Sequence, residues 1–380
     1  MARDGGVEAH RAPLGLFLCG DVMTGRGIDQ VLPHPSDPRL HEEYATSARA
    51  YVELAERAHG PIPAPVDFAY VWGDALAELA RGRPDARIVN LETSVTRSDD
   101  WWRGKGINYR MHPENVRCLV TAGIDCCVLA NNHVLDYGYP GLRETLETLQ
   151  RAGVRTAGAG RTLDEARAPA VIDVPGRGRV LVFGVGTATS GIPPGWAARD
   201  DRPGVDLATD LSARTVERMR EAMHRSRRPG DVVVVSIHWG GNWGFDVPEE
   251  HVRFAHDLVR GGADVVHGHS SHHVLPIETF DGRLILYGCG DFVDDYEGIG
   301  DHEELRPDLR LAYFAVVDAS GRLASLRMTP FRMRRFQLRR ARRADAEWLR
   351  DRLERERRRF GFRVELDGGP TLRAVLPPAA

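Results

Sequence analysis

The chain has 380 residues, of which 42% are hydrophobic and 28% charged, with a formal net charge of −3. That length buries a full core without disulfide or metal staples, and the near-neutral balance excludes a generally basic nucleic-acid binder or a binder of anionic membranes. Five cysteines, odd in number and without a CxxC pair, read as buried thiols of a reducing compartment, and no apolar run approaches a membrane span or a signal segment, so a cytoplasmic protein is expected.

Residues 14–19 predict a short buried strand that opens onto Gly20-Asp21-Val22-Met23, placing a carboxylate at the C-terminal edge of a sheet. Residues 33–65 are rich in proline and histidine, carry a helical piece over 42–59, and read as an insertion near the mouth of a site. A helix at 71–81 leads to a strand at 86–89 ending in Asn90-Leu91-Glu92. Adjacent Trp101 and Trp102 stand in a polar loop that also holds Lys105. That residue is the only lysine in the chain, which reads as a coding bias toward arginine.

A helix at 115–122 and a buried strand at 125–130 deliver Asn131-Asn132-His133-Val134-Leu135-Asp136, and Leu142, Leu146 and Leu149 predict a helix over 141–152. A short strand at 154–158 and two strands at 170–174 and 179–186 follow. The loop 187–210, with Trp196, reads as a lid. Beyond a helix at 211–226, the fully apolar strand 231–237 opens onto His238-Trp239, and a helix over 249–261 leads to Val265-Val266-His267-Gly268-His269-Ser270-Ser271-His272-His273. Four histidines in seven positions behind an apolar run point to metal. His269 and His272 read as ligands, His267 as structural, and His273 as lying beside the site. Strands at 284–287 and 311–317 come next, the first running toward Asp291, Asp294 and Asp295. The arginine-rich segment 331–360 predicts a solvated, ion-paired helix.

Alternating strands and helices with polar residues at the strand ends predict an α/β fold with one site at the strand C-termini. Asp21, Glu92, Asn132, His133, His238, His269 and His272, with Asp291 or Asp294, form a mixed nitrogen and oxygen set. Such a set suits manganese, zinc, cobalt or iron, as one ion or a pair.

These motifs, in this order, resemble the CapA (poly-γ-glutamate capsule biosynthesis) family, a branch of the calcineurin-like metallophosphoesterase fold. Over residues 14–320 the resemblance implies two packed β-sheets flanked by helices, an αββα sandwich. It implies a catalytic domain over 1–330 with 331–380 as an arginine-rich helix and tail packed on it. Asp21 and His272 would bind one metal, Asn132, His238 and His269 the other, with Glu92 at the bridging position and His133 as an outer acid or base. Met23 stands where phosphoesterases carry a histidine, and Glu92 replaces their bridging aspartate, so the centre holds one or two ions. The membrane anchor usual in that family is not seen, and no glycine-rich phosphate loop occurs. The expected substrate is therefore a peptide, with neither nucleic acid nor membrane as partner.

The chain is similar in type to CapA-like epimerases of lasso-peptide precursors, which invert a C-terminal residue through metal-assisted deprotonation at Cα. His133, His273, Asp294 and Asp295 are the candidate catalytic groups, with His238 and His269 as further bases. Trp101, Trp102, Trp239 and Trp243 would pack an aromatic peptide end. Phosphate-ester hydrolysis and a capsule-assembly role are the alternatives.

Overall fold

A computed structural model describes residues 12–376. The polar N-terminal residues 1–6 and the last four residues of the chain lie outside them. The architecture is two β-sheets packed face to face with helices on both outer sides, the layering expected from the calcineurin-like resemblance.

The larger sheet has ten strands. Its centre is Leu14–Val22, hydrogen-bonded in parallel to Ala86–Leu91 and Asp291–Val293 and antiparallel to Leu309–Val317. Cys126–Val128 and Arg155–Ala157 extend it on one side, and Leu323–Arg334 on the other. The smaller sheet has seven strands, with Gly178–Thr187, Val232–His238, Val265–His269 and Arg283–Leu286 side by side and parallel. Successive side chains of a strand point to opposite faces, and here both faces are buried. Leu16, Leu18, Ile88 and Val128 meet Val180, Val182, Val234 and Val265 between the sheets. Phe17, Cys19, Val89 and Cys127 face outward onto Leu79, Leu119, Leu142 and Leu149. Across the molecule, Leu181, Val233, Val235 and Val266 cover Met219, Met223, Phe254 and Leu258 of helices Ala213–Ser226 and Glu249–Arg260. All five cysteines are buried free thiols.

Three expectations change. The 187–210 loop is anchored, with Trp196 fully buried and short strands at Gly204–Val205 and Leu207–Ala208 tying it down. The insertion's helix is Arg49–His59, shorter than the expected 42–59. After residue 330 the chain is more than a helix and tail. The strand Leu323–Arg334 runs through that position, and Gln337–Arg340, Val364–Leu366 and Leu372–Ala374 add to the larger sheet around helix Arg343–Arg355. Buried Phe331, Met333 and Leu338 alternate with more exposed neighbours there. It is a strand pattern that the intervening arginines hide from average hydropathy.

Candidate metal centre

The parallel strands of the two sheets end at one seam. Asp21 sits opposite Asp291 on one side and Asn90 on the other. The close approach depends on Gly20, where a Cβ would fall 1.5 Å from the Gly290 carbonyl oxygen. In the smaller sheet His238 is in register with His269, and Ser236 with His267. Equivalent positions on neighbouring strands face the same way, so the four side chains form a square.

That square fixes protons. A carbonyl only accepts, so His267 Nε2 donates to Cys19 O at 2.7 Å. Burial holds His267 at about 4 and therefore neutral, so its Nδ1 accepts from Ser236 Oγ at 3.0 Å. Ser236 Oγ in turn accepts from His269 Nε2 at 2.9 Å. His269 Nδ1 is left as a lone pair, 2.8 Å from His238 Nδ1 and 3.8 Å from Asp21 Oδ1. His267 is structural, as expected, and it joins the two sheets.

Two buried sets of donors emerge, Asp21 with His238 and His269, and Asp21 with His272 and Asp291. Asp21 is the shared member. Its Oδ1 accepts from Asn90 Nδ2 at 2.8 Å and its Oδ2 from the Ser270 N–H at 3.2 Å. Ser270 holds φ at 102°, a strained value for a residue with a side chain, to point that N–H at the carboxylate. His272 Nδ1 is 2.9 Å from Asp291 Oδ1, while Asp291 Oδ2 is buried with no partner. Glu92 stands at the edge, 4.0 Å from His238 Nε2 and 3.7 Å from His133 Nε2. Asn132 Oδ1 lies 3.1 Å from His238 Nε2. Glu92, expected to bridge, belongs to neither set; the member common to both is Asp21, which register places between Asp291 and Asn90.

The electrostatics fit a cation. Burial, then the charge of Asp291, pushes Asp21 up to about 7. Burial and the charges of Asp21 and Asp291 push Glu92 well above the carboxylate range. His238 and His269 are held well below theirs by burial and by neighbouring imidazoles. Burial opposes the charge on His272, yet Asp291 and Asp21 outweigh it and raise that ring. Crowded buried carboxylates, neutral imidazoles and an orphaned carboxylate oxygen are what a bound divalent ion relieves. The five donors of the two sets would hold it, with Asn132 and Glu92 alongside.

Of the four expected catalytic groups, His133 alone faces this centre. Its Nδ1 is 2.6 Å from Asp136 Oδ2, and burial holds it at about 4 against the pull of Asp136. Asn131 locks the turn, with Oδ1 accepting from the His133 and Val134 N–H groups and Nδ2 donating to Asn90 Oδ1. Asp294 is taken by Arg310, and Asp295 by Arg26 at 2.5 Å and the Gly27 N–H at 2.9 Å. Both are committed to arginines rather than free to act as bases. His273 packs against Trp243 and Phe245. Of the tryptophans, Trp101 stacks on His41, Trp102 meets Trp196 edge-on and Trp239 is core against His251. Trp243 lines a groove of about 1110 Å³ whose wall includes His272.

Sequence reasoning missed Asn90, Asp136, Ser236, Tyr109 and Tyr296. Asn90 and Asp136 each had a signal, lying two residues before Glu92 and three after His133. The tyrosines had none. Tyr109 meets the His133 ring edge-on, Tyr296 meets the His272 ring edge-on, and their hydroxyls are 3.1 Å apart.

The fold and the site define a two-sheet α/β protein with a buried histidine and carboxylate centre at its strand ends. The family model for bacterial capsule synthesis protein PGA_cap matches residues 15–296, and the chain belongs to that family. It is 50% identical over 351 residues to a probable polyglutamine synthesis accessory protein of Mycobacterium tuberculosis, covering 92% of each chain. It is 28% identical over 287 residues to the PGA biosynthesis protein CapA of Bacillus subtilis, covering 74% of this chain and 63% of that one. A 5'-nucleotidase precursor from Thermus thermophilus superposes with a TM-score of 0.45 at 14% identity, covering 84% of this chain and 54% of the other. Among the described residues no helix is long and apolar enough to cross a membrane.

Proposed function

We propose that the protein is a metal-dependent enzyme that cleaves a peptide-type polymer of glutaminyl or glutamyl residues in the cytoplasm. One observation carries the reading: the donor sets that share Asp21 reach the groove of about 1110 Å³ through His272. That volume is at the upper end for a small-molecule site and suits a length of extended chain. The charges around it nearly cancel. Arg26 and Arg310 are paired with Asp295 and Asp294, and Arg306 and Arg332 with Asp308. A balanced groove favours amide side chains over a polyanion, in keeping with the polyglutamine in the name of the mycobacterial relative. A divalent ion of manganese, zinc, cobalt or iron held by the five donors would polarise an acyl or phosphoryl oxygen. We assign His133, backed by Asp136, to protonate the leaving group. The cytoplasmic location rests on the five reduced, buried cysteines, and cell fractionation checks it.

The test loads the protein with manganese or zinc, incubates it with poly-L-glutamine or poly-γ-glutamate in D₂O, and follows the polymers by mass spectrometry. Shortened chains, with activity and bound metal falling at least ~100-fold in His269→Ala, support the reading. Intact polymers alongside hydrolysis of p-nitrophenyl phosphate would replace it with a phosphoesterase. Deuterium uptake at Cα without cleavage would replace it with the epimerase.

A further inference from the structure

Tyr296 joins the groove to the metal centre. Its half-buried ring lines the groove and meets the His272 ring edge-on, with centroids 5.4 Å apart. Behind it Tyr109, fully buried, meets the His133 ring edge-on at 4.6 Å. Arg26 holds the two phenols in place. Its guanidinium carbon lies 4.2 Å from the centre of the Tyr109 ring and 5.8 Å from that of Tyr296. Asp295 and Glu42 fix Arg26 in turn.

The two hydroxyls are 3.1 Å apart. That of Tyr109 has no other acceptor among the described residues, so it donates and the Tyr296 oxygen accepts. A phenol has a single O–H, and Tyr296 must therefore direct its own away from Tyr109. The acceptor it finds is Met23 Sδ at 3.7 Å. A thioether accepts weakly, and among the described residues no oxygen or nitrogen takes that proton instead. An imidazole at position 23 would offer a ring nitrogen and keep the proton in the core. The sulfur yields it to any stronger acceptor that enters the groove.

We propose that Tyr296 is a catalytic residue whose hydroxyl donates a hydrogen bond to the acyl oxygen of the bond to be cut, seated in the groove at His272. The bond strengthens as negative charge grows on that oxygen, and the phenol keeps its proton throughout. Tyr109 is its positioning residue, because a hydroxyl that accepts a hydrogen bond donates a stronger one. The division of labour is spatial. His133 serves the leaving group, Tyr296 serves the acyl oxygen, and Tyr109 stands between them. The acyl oxygen as acceptor rests on the cleavage reaction proposed above; the groove-facing donor does not.

The probe is inorganic phosphate, a tetrahedral anion, titrated calorimetrically into full-length protein loaded with zinc or manganese. Tyr296→Phe keeps the ring and removes the hydroxyl. It should weaken phosphate binding about tenfold or more, the worth of a hydrogen bond to a charged acceptor, at unchanged metal content. Tyr109→Phe should weaken it less, about two- to threefold. In the wild type phosphate should also produce a tyrosine ultraviolet difference spectrum, as the phenol exchanges sulfur for an anion, and Tyr296→Phe should lose it. Equal affinity in Tyr296→Phe and wild type overturns the proposal. So does a wild type that binds no phosphate or gives a flat difference spectrum, even if Tyr296→Phe does not fold. On a polymer that the enzyme cuts, Tyr296→Phe should keep KM and lower kcat about tenfold or more; unchanged kcat overturns the acyl oxygen as acceptor. Phosphate binding is read without polymer, so uncut polymers would overturn the cleavage reading and leave the donor standing.

Discussion

Replacing Asp21 by asparagine removes one charge from a buried trio, Asp21, Glu92 and Asp291, whose members are at most 2% exposed. Without metal the trio repels itself, and Asp21 is pushed to about 7 by burial and by Asp291. A carboxyl whose folded value lies above the unfolded value near 3.9 favours the folded state only while protonated. Its stabilisation is complete below about pH 4 and is lost as pH rises to about 7. The gap corresponds to about 4 kcal/mol. Asparagine escapes that cost but returns one acceptor in place of two, leaving the Asn90 amide or the Ser270 N–H poorly bound at about 1–2 kcal/mol. The net gain for metal-free Asp21→Asn is about 2–3 kcal/mol above pH 7, or about 3 °C in Tm for a chain of this size. Calorimetry of chelator-treated protein from pH 4 to 9, repeated with manganese or zinc, measures it. Asp21→Asn should melt above wild type at pH 8, at or below it at pH 4, and gain little from metal that raises wild type markedly. A variant less stable than wild type at pH 8 without metal, or stabilised by metal as much as wild type, refutes the reasoning.

Asp295→Asn should leave metal content unchanged by elemental analysis yet destabilise the protein by about 3 kcal/mol in urea, because it strips a carboxylate from Arg26, which is 3% exposed. A drop in bound metal would return Asp295 to the site. Gly20→Ala drives a methyl group into the Gly290 carbonyl, 1.5 Å from the ideal Cβ, and should cost at least about 4 kcal/mol or yield insoluble protein. A well-folded Gly20→Ala of wild-type Tm would show that the Asp21–Asp291 register tolerates separation.

The strand ends were legible because fully buried parallel strands are continuous apolar runs, and each of these stops at a polar residue. Asp21, Asn132, His133, His238, His269 and His272 were all visible that way. Register was not. Only the pairing of Asp21 with Asp291 makes the first aspartate the shared donor, and no local signal says that Asp291 meets His272. The adjacent acids Asp294 and Asp295 looked like bases, since a sequence does not show that Arg310 and Arg26, distant in the chain, reach back to them. Lys105 was visible as an oddity of composition; that its loop brings it to Asp136 was not.

The central strand Leu14–Val22 has one flank on Ala86–Leu91 and the other on Leu309–Val317. Synthesis therefore supplies the innermost strand well before its last neighbour, which follows only after residue 309 has emerged. Until then an apolar strand with an open edge needs shelter from association with other chains. His238 to Asp291 also follow that strand at a distance, so the donor sets assemble only once Asp291 has been made. An ion that needs all five donors can join only from that point, and because the cores on both faces of the sheets form from apolar side chains, metal starvation should yield folded, empty protein rather than aggregated nascent chains.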